Sequence, residues 1–241
     1  MMANIGRHVY VPGHQMAVDK SVRSKVNLFF FASEWSVSPT LYERAAIELT
    51  ILHRGTVSRV GNTSVDMLQT FVDERNSNFL ASRLCRLVNI NPRTKKSVVL
   101  PESIRQALAD NIRATDRRKL SDTAKLLTAI PADRFASKIL VRYSDMDHLF
   151  HANQGSYLGF ALECASLAST SGYYRHFKED MCFYRIRAIW AVHLQEAFAG
   201  DELDVLTWQD SDYPMLLYFA IQKKEQFIYR ASIEYYDAIS C

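Results

Sequence analysis

One segment, residues 141–157, reads VRYSDMDHLFHANQGSY and carries most of the information about this fold. The segment follows the apolar residues Ile139 and Leu140. It leads directly into a stretch with the amphipathic pattern of a helix, which ends near Ala168. This change of pattern predicts a strand that delivers acidic residues and histidines to the start of a helix.

The start of the predicted helix is a place where negative charge is favoured. The first N–H groups of a helix have no acceptor within it, so an ester or thioester carbonyl placed there would have its developing oxyanion stabilised. Asn153 is the predicted N-cap, because its side-chain oxygen can accept from an N–H two or three residues on. Gln154 and Gly155 are the predicted backbone donors, and Gly155 also allows a ligand to approach closely.

The same polar residues fit a purely structural interpretation. Asp145, Asp147 and His148 are residue types that are common in turns. His151 and Asn153 would serve equally well as ordinary capping residues. Composition alone leaves the catalytic and the structural interpretation open.

The composition is that of a globular chain without an obvious charged partner. The chain has 241 residues, of which 48% are hydrophobic and 23% are charged, which suffices for one large domain or two smaller ones. The net charge of +3 is too small to indicate nucleic acid as a partner. No apolar run approaches the ~18 residues of a membrane span, so none is expected.

The cysteines favour a reduced compartment. Cys85, Cys164, Cys182 and Cys241 are far apart, with the spacing of neither a zinc site nor a disulfide framework, so we expect no metal and no cofactor. The cytoplasm is the expected location. A mitochondrion or another organelle is the alternative, because basic residues precede most acidic ones near the N-terminus.

Two similar series of elements follow one another along the chain. After a lead-in at residues 1–25, the first series is predicted as a strand at 26–35, a helix of about four turns that starts at Ser38-Pro39 and continues through Leu52, strands at 57–71 and 79–90, and a short helix at 101–109. A charged connector at 110–134 follows. The second series is predicted as a strand at 139–144, a helix at 153–169, and strands at 184–197, 201–210, 215–223 and 227–236.

The repeated order of elements indicates an internal duplication. Aligning Tyr42 with Tyr157 also aligns Glu48 with Glu163, and the order of elements on either side agrees. We therefore predict an α+β fold in two halves, residues 26–109 and 135–241. In each half an antiparallel sheet is wrapped around one long α-helix, which is the only apolar object available to cover the sheet.

Residues 141–157 resemble the strand-to-helix motif of the double-hotdog acyl-ACP (acyl carrier protein) thioesterases of plants and bacteria. Residues 91–105 resemble the end of the first hotdog in that family, and residues 192–205 resemble the strand and turn that carry a further catalytic carboxylate. The resemblance covers most of residues 26–237. It implies a tandem hotdog that hydrolyses acyl-ACP or acyl-CoA to a free fatty acid and a thiol.

The resemblance also implies a set of catalytic residues. The family's catalytic aspartate falls on Asp147, its histidine on His151 and its glutamate on Glu196. Its catalytic asparagine falls on Leu149, so either Asn153 or a water is expected to take that role. Glu196 or Asp147 would take a proton from water, and His151 would position the water or protonate the departing thiol.

The resemblance places the chemical site in the second half only. The corresponding positions of the first half hold Ala32, Ser36 and Thr70, none of which can act as a base. The first half would instead supply surface for the acyl chain, although its apolar residues could equally form the core. The predicted substrate-binding residues are Phe29, Phe31, Trp35, Met67 and Tyr157.

Two other functions and two partner surfaces stay open at this point. A non-catalytic acyl-thioester-binding protein would explain Leu149, and a hotdog dehydratase would also need a histidine and an acid at the helix start. The basic residues Arg113, Arg117, Arg118 and Lys119 would suit an acidic carrier protein or the phosphates of CoA, or they are a solvated connector. A homodimer is a further expectation.

Overall fold

The computed structural model of the protein describes residues 26–44, 50–121 and 129–237, so the predicted lead-in lies outside the described residues. The described residues form two compact units, of which the first ends and the second begins within the predicted connector at 110–134. No helix among them is long and apolar enough to cross a membrane.

The described residues of the first unit form an antiparallel sheet with two helical segments. Its elements in chain order are β1 (Leu28–Val37), α1 (Pro39–Arg44), β2 (Ile51–Val60), β3 (Ser64–Asp73), β4 (Phe79–Asn89) and α2 (Glu102–Ala109). The strands lie in the order β2-β3-β4-β1. The predicted helix at 101–109 is confirmed: Ile104 and Leu108, four residues apart, form its buried face against Val57 and Val65.

Two predictions for the first unit are wrong. The expected strand at 57–71 is a hairpin, in which the N–H of Gly61 donates to the carbonyl of Ser64 at 2.8 Å. The expected helix does start after Ser38, whose hydroxyl accepts from the N–H of Thr40 at 3.2 Å. It cannot reach Leu52, however, because Leu52 pairs with β3 in β2. Here the pairing of two ten-residue strands prevails over a helical spacing of leucines.

The second unit is a larger antiparallel sheet with one long helix. Its elements are β5 (Phe135–Leu140), α3 (Gln154–Thr170), β6 (Ile186–His193), β7 (Glu202–Gln209), β8 (Leu216–Lys223) and β9 (Gln226–Tyr235), with 3₁₀ turns at Tyr143–Asp145 and Met181–Phe183. The strand order is β6-β9-β8-β7-β5.

The helix α3 covers one face of this sheet, as predicted for the second half. Its Cys164 is fully buried and donates from Sγ to the carbonyl of Val205 on β7 at 3.3 Å. The adjoining Tyr174 is likewise buried and hydrogen-bonds Thr207 on the same strand. The middle of the helix and the segment that follows its C-terminal end are therefore held against β7.

Candidate active site

The path from β5 to α3 is built around Asp145. Its carboxylate accepts from the N–H of Arg142 at 2.7 Å, which closes the 3₁₀ turn. Its carbonyl accepts from the N–H of Asn153 at 2.8 Å and from the Ser156 hydroxyl at 2.9 Å. Asp145 thus has the structural role that the turn interpretation predicted.

The His151 loop, residues 146–152, is closed by an antiparallel bridge between Met146 and Ala152. Within it Asp147 organises the backbone: Oδ1 accepts from the N–H of Leu149 at 2.8 Å and from the N–H of His151 at 3.4 Å. The N–H of Asp147 donates to the carbonyl of His151 at 2.8 Å. These contacts fix the position from which the His151 side chain projects.

The tip of the His151 loop is apolar and exposed. Leu149 and Phe150 expose 59% and 61% of their surface. Phe150 has a positive φ of 61°, and its N–H donates to the carbonyl of Asp147 at 3.1 Å. A bulky residue in this region is strained by roughly 1–2 kcal/mol, and such strain often occurs in functional loops. The aliphatic side chain of Leu149 offers no hydrogen bond.

Asn153 is the N-cap of α3, as predicted. Its Oδ1 accepts from the N–H of Ser156 at 3.1 Å, and its Nδ2 donates to the carbonyl of Asp145 at 3.0 Å. Both ends of the amide therefore take part in local structure. Gln154 and Gly155 open the helix, and a Cβ at Gly155 would lie 3.1 Å from Asn153 Oδ1, so this position favours glycine.

The Glu196 loop, residues 194–201, connects β6 with β7. The strand predicted to reach Ala197 ends at His193, so Glu196 lies in irregular structure. The two loops meet: His151 Nδ1 lies 3.8 Å from Glu196 Oε1, with 31% and 17% of the two side chains exposed. The structure thus brings together two of the predicted catalytic residues as an imidazole–carboxylate pair.

Tyr157 lies beneath this pair, on the first turns of α3. It is 3% exposed, and its hydroxyl accepts from the N–H of Ala197 at 2.9 Å. Burial, together with the negative charges of Glu196, Asp201 and Asp147, raises the pKa of Tyr157 to about 12. The phenol is therefore neutral near pH 7, and the negative charges of Asp147 and Glu196 both contribute to its raised pKa. These contacts give Tyr157 a position behind the loop.

Sequence reasoning missed Lys223 at the end of β8. Its Nζ donates to the carbonyl of Glu196 and to Asp201 Oδ2, at 3.0 Å each. Burial works to raise the pKa of Asp201, but the N–H of Phe198 and the ammonium of Lys223 outweigh it and leave that pKa below its ordinary value. Gly200-Asp201 belongs to the quoted resemblance, whereas no local pattern around Lys223 indicates its role.

The predicted substrate-binding residues of the first unit are half-buried in its sheet. Trp35 stacks on Phe71 at 5.8 Å, and the guanidinium of Arg83 lies 5.1 Å from the Trp35 ring. Met67 packs against the cluster around Leu100, which is the core role that the sequence left open. Phe29 pairs with Val88, and Phe31 is the extra residue at a bulge in β1.

The first-unit positions Ala32, Ser36 and Thr70 also have defined places. Ala32 is fully buried in β1, and Thr70 pairs with Ser82 across β3 and β4. Ser36 lines a cavity of about 270 Å³. The other lining residues are Glu34, Leu68, Ser82, Leu84, Arg118 and Lys119. Within the part of the chain that the structure describes, no group of three or more His, Cys, Asp or Glu residues could hold a metal ion.

Comparison with known proteins identifies the fold. No family model matches the chain, and no curated protein matches its sequence. A 12:0-ACP thioesterase from Umbellularia californica is similar in structure, with a TM-score of 0.66, 13% identity and coverage of 91% of this chain and 81% of the other. An acyl-ACP thioesterase from Bacteroides thetaiotaomicron has a TM-score of 0.59, 14% identity and coverage of 89% and 78%.

A MaoC-like dehydratase is also similar, with a TM-score of 0.52, 12% identity and coverage of 91% of this chain and 78% of the other. The chain therefore has the hotdog-like fold of the acyl-ACP thioesterases, with extensive antiparallel sheet and few helices. Because a dehydratase shares this fold, the chemistry has to be argued from the residues of the site.

Proposed function

We propose that this protein hydrolyses fatty acyl thioesters, carried by ACP or CoA, to a free fatty acid and a thiol. The observation that supports this most directly is the His151–Glu196 pair, at 3.8 Å, beside the first turn of α3. We also propose that the two units are tandem hotdogs and that only the second keeps the chemistry.

In the proposed reaction, Glu196 takes a proton from a water that lies beside His151. The hydroxide attacks the thioester carbonyl carbon, and the developing oxyanion is stabilised by backbone N–H groups at Gln154 and Gly155. The C–S bond then breaks, and the proton returns through His151 to the departing sulfur. The products are one carboxylic acid and one thiol, so no cofactor is needed.

Asp147 acts one step away from the chemistry in this scheme. Its Oδ1 holds the backbone of Leu149 and His151, so it sets the direction of the imidazole. Asn153 is left as the cap of α3, because both ends of its amide are already engaged. We therefore assign the role of base to Glu196 rather than to Asp147.

The acyl group and its carrier call for separate surfaces. We propose Phe29, Phe31 and Trp35 as contacts of the acyl chain. The exposed Arg113, Arg117, Arg118 and Lys119 would meet an acidic carrier or the phosphates of CoA.

A reduced compartment such as the cytoplasm agrees with the free, buried thiols of Cys85 and Cys164.

The decisive experiment measures the hydrolysis of acyl-CoA substrates of graded chain length. The reaction is monitored through the free thiol that it releases. Glu196→Gln keeps the size of the side chain but removes its basicity, so we expect kcat to fall by roughly a hundred-fold or more. Glu163→Gln, at an exposed position on α3, is the matched control and should leave kcat unchanged. Equal rates in the wild type and in Glu196→Gln would overturn the proposed mechanism.

A non-catalytic acyl-thioester-binding protein is the second candidate. The observation that favours it is Leu149, whose exposed apolar side chain stands where the family has its catalytic asparagine. Saturable acyl-CoA binding without thiol release from the wild type would support this function. A dehydratase, suggested by the shared fold, would instead convert a 3-hydroxyacyl thioester to the unsaturated product without release of thiol.

A further inference from the structure

We propose that Tyr157 and Lys223 are positioning residues, which hold the backbone of the Glu196 loop so that the Glu196 carboxylate faces His151. The inference rests on the proposed function, because the loop is assigned catalytic importance only through Glu196. Neither side chain is expected to touch the substrate or the reacting atoms.

Tyr157 grips the loop on both sides of Glu196. Its hydroxyl accepts from the N–H of Ala197 at 2.9 Å and donates to the carbonyl of Gln195 at 3.4 Å. The ring itself is fixed, since it stacks on Tyr229 at 5.3 Å and meets His193 edge-on at 5.3 Å. One rigid, buried phenol thus satisfies a donor and an acceptor of the residues that flank Glu196.

Lys223 holds Glu196 itself. Its Nζ donates to the carbonyl of Glu196 at 3.0 Å and is retained there by Asp201 Oδ2, also at 3.0 Å. The ammonium lies 5.3 Å from the centre of the Phe198 ring, and the side chain is only 20% exposed. Because its charge is paired and shielded, this lysine has a defined position that an exposed lysine on a flexible stem would lack.

The two side chains act together because the loop lacks the hydrogen-bond ladder of a strand. Backbone groups in irregular structure need other partners, and here side chains from α3 and β8 supply them to three successive residues. A further bond, from the N–H of Ala152 to the carbonyl of Ala197 at 2.8 Å, joins this loop to the His151 loop. The distance between imidazole and carboxylate therefore depends on contacts made by neither of them.

The alternative is that both residues only stabilise the fold. A structural role would lower the melting temperature and leave kcat of the folded protein unchanged. A positioning role predicts a loss in kcat at constant KM, because a displacement of about 1 Å at a catalytic group can slow a reaction by roughly a hundred-fold.

The test measures kcat and KM for acyl-CoA hydrolysis in Tyr157→Phe, Lys223→Met and the double variant, well below their melting temperatures. We expect each single change to lower kcat by about ten-fold or more with KM nearly constant, and the double variant to lose much less than the product of the two, because both act through one loop. Lys223→Arg, which keeps the charge and the donors, should recover part of the rate.

Two controls are matched to these changes within the same unit. Tyr174→Phe removes a buried hydroxyl that bonds Thr207, and Lys178→Met removes an ammonium that donates to a backbone carbonyl, that of Tyr174, at 3.0 Å. Neither residue contacts the Glu196 loop through these bonds. Both controls should lower stability without lowering kcat.

Amide hydrogen exchange separates failure of this inference from failure of the proposed function. Tyr157→Phe should speed exchange of the Ala197 amide by about ten-fold or more, whereas Tyr174→Phe should not. If the wild type is inactive but shows this exchange pattern, the proposed hydrolase function is refuted, whereas the conclusion that Tyr157 holds the Glu196 loop stands. An active wild type whose kcat is unchanged in Tyr157→Phe and Lys223→Met would overturn the positioning role.

Discussion

Replacement of Asn153 by alanine distinguishes the cap of α3 from a catalytic amide. The change removes the acceptor for the N–H of Ser156 and the donor to the carbonyl of Asp145. Loss of an N-cap side chain destabilises a protein by ~1 kcal/mol, and loss of one more hydrogen bond by a similar amount.

The structure makes the expected loss of stability no larger than the sum of these two contributions. The carbonyl of Asp145 still accepts from the Asn153 N–H and from the Ser156 hydroxyl, so it is not left without a partner. We therefore expect a loss of roughly 1–2 kcal/mol, which lowers the melting temperature by about 2–8 °C in a chain of this size.

The assay pairs thermal unfolding with acyl-CoA hydrolysis at a temperature where the variant is fully folded. If Asn153 is only a cap, kcat should fall by less than about ten-fold. Asn153→Asp should keep most of the stability, since its carboxylate can still accept from Ser156 and favours the positive end of the helix dipole. A variant with unchanged melting temperature and abolished turnover would refute the reasoning and return Asn153 to the catalytic role expected from the resemblance.

Substitutions at three further positions test the same region. Asp147→Asn keeps an oxygen acceptor for the N–H groups of Leu149 and His151, so it should retain far more activity than Asp147→Ala; equal loss in thiol-release assays would make Asp147 the base. The pKa of Asp201 is lowered in the folded state, so its contribution to stability is present above the ordinary value of 3.8 and disappears as the pH falls through the lower folded value. The urea concentration at the midpoint of unfolding should therefore vary less with pH, over this acidic interval, in Asp201→Asn than in the wild type. Gly200 has a φ of 89°, so Gly200→Ala should lower the free energy of unfolding by about 1–2 kcal/mol, and an unchanged urea midpoint would contradict this.

Local patterns predicted the second unit better than the first. The helix at 153–169 was confirmed almost to the residue because its signals are local: an asparagine cap, a continuous apolar stripe and no competing strand partner. The hairpin within 57–71 was missed although Gly61-Asn62 is a turn signal. The prediction of a helix through Leu52 was wrong because β2 pairs with β3 along its whole length. A local sequence pattern does not reveal this pairing, since it joins residues that are far apart in the chain.

The sequence by itself determined the residue types of the site and the start of the helix beside them, since capping and periodicity depend on neighbours a few positions apart. Only the tertiary structure decided which of those residues meet. His151 and Glu196 come within 3.8 Å, where the N–H of Ala152 donates to the carbonyl of Ala197 and joins the two loops. A bridge closes the first loop, and a buried phenol and a lysine on a distant strand bind the backbone of the second. Asp147 and Asn153, by contrast, use their polar side-chain atoms to bind backbone groups of residues nearby in the chain. Such competition between local and long-range hydrogen bonds depends on three-dimensional distance, which the order of residues along a chain does not specify.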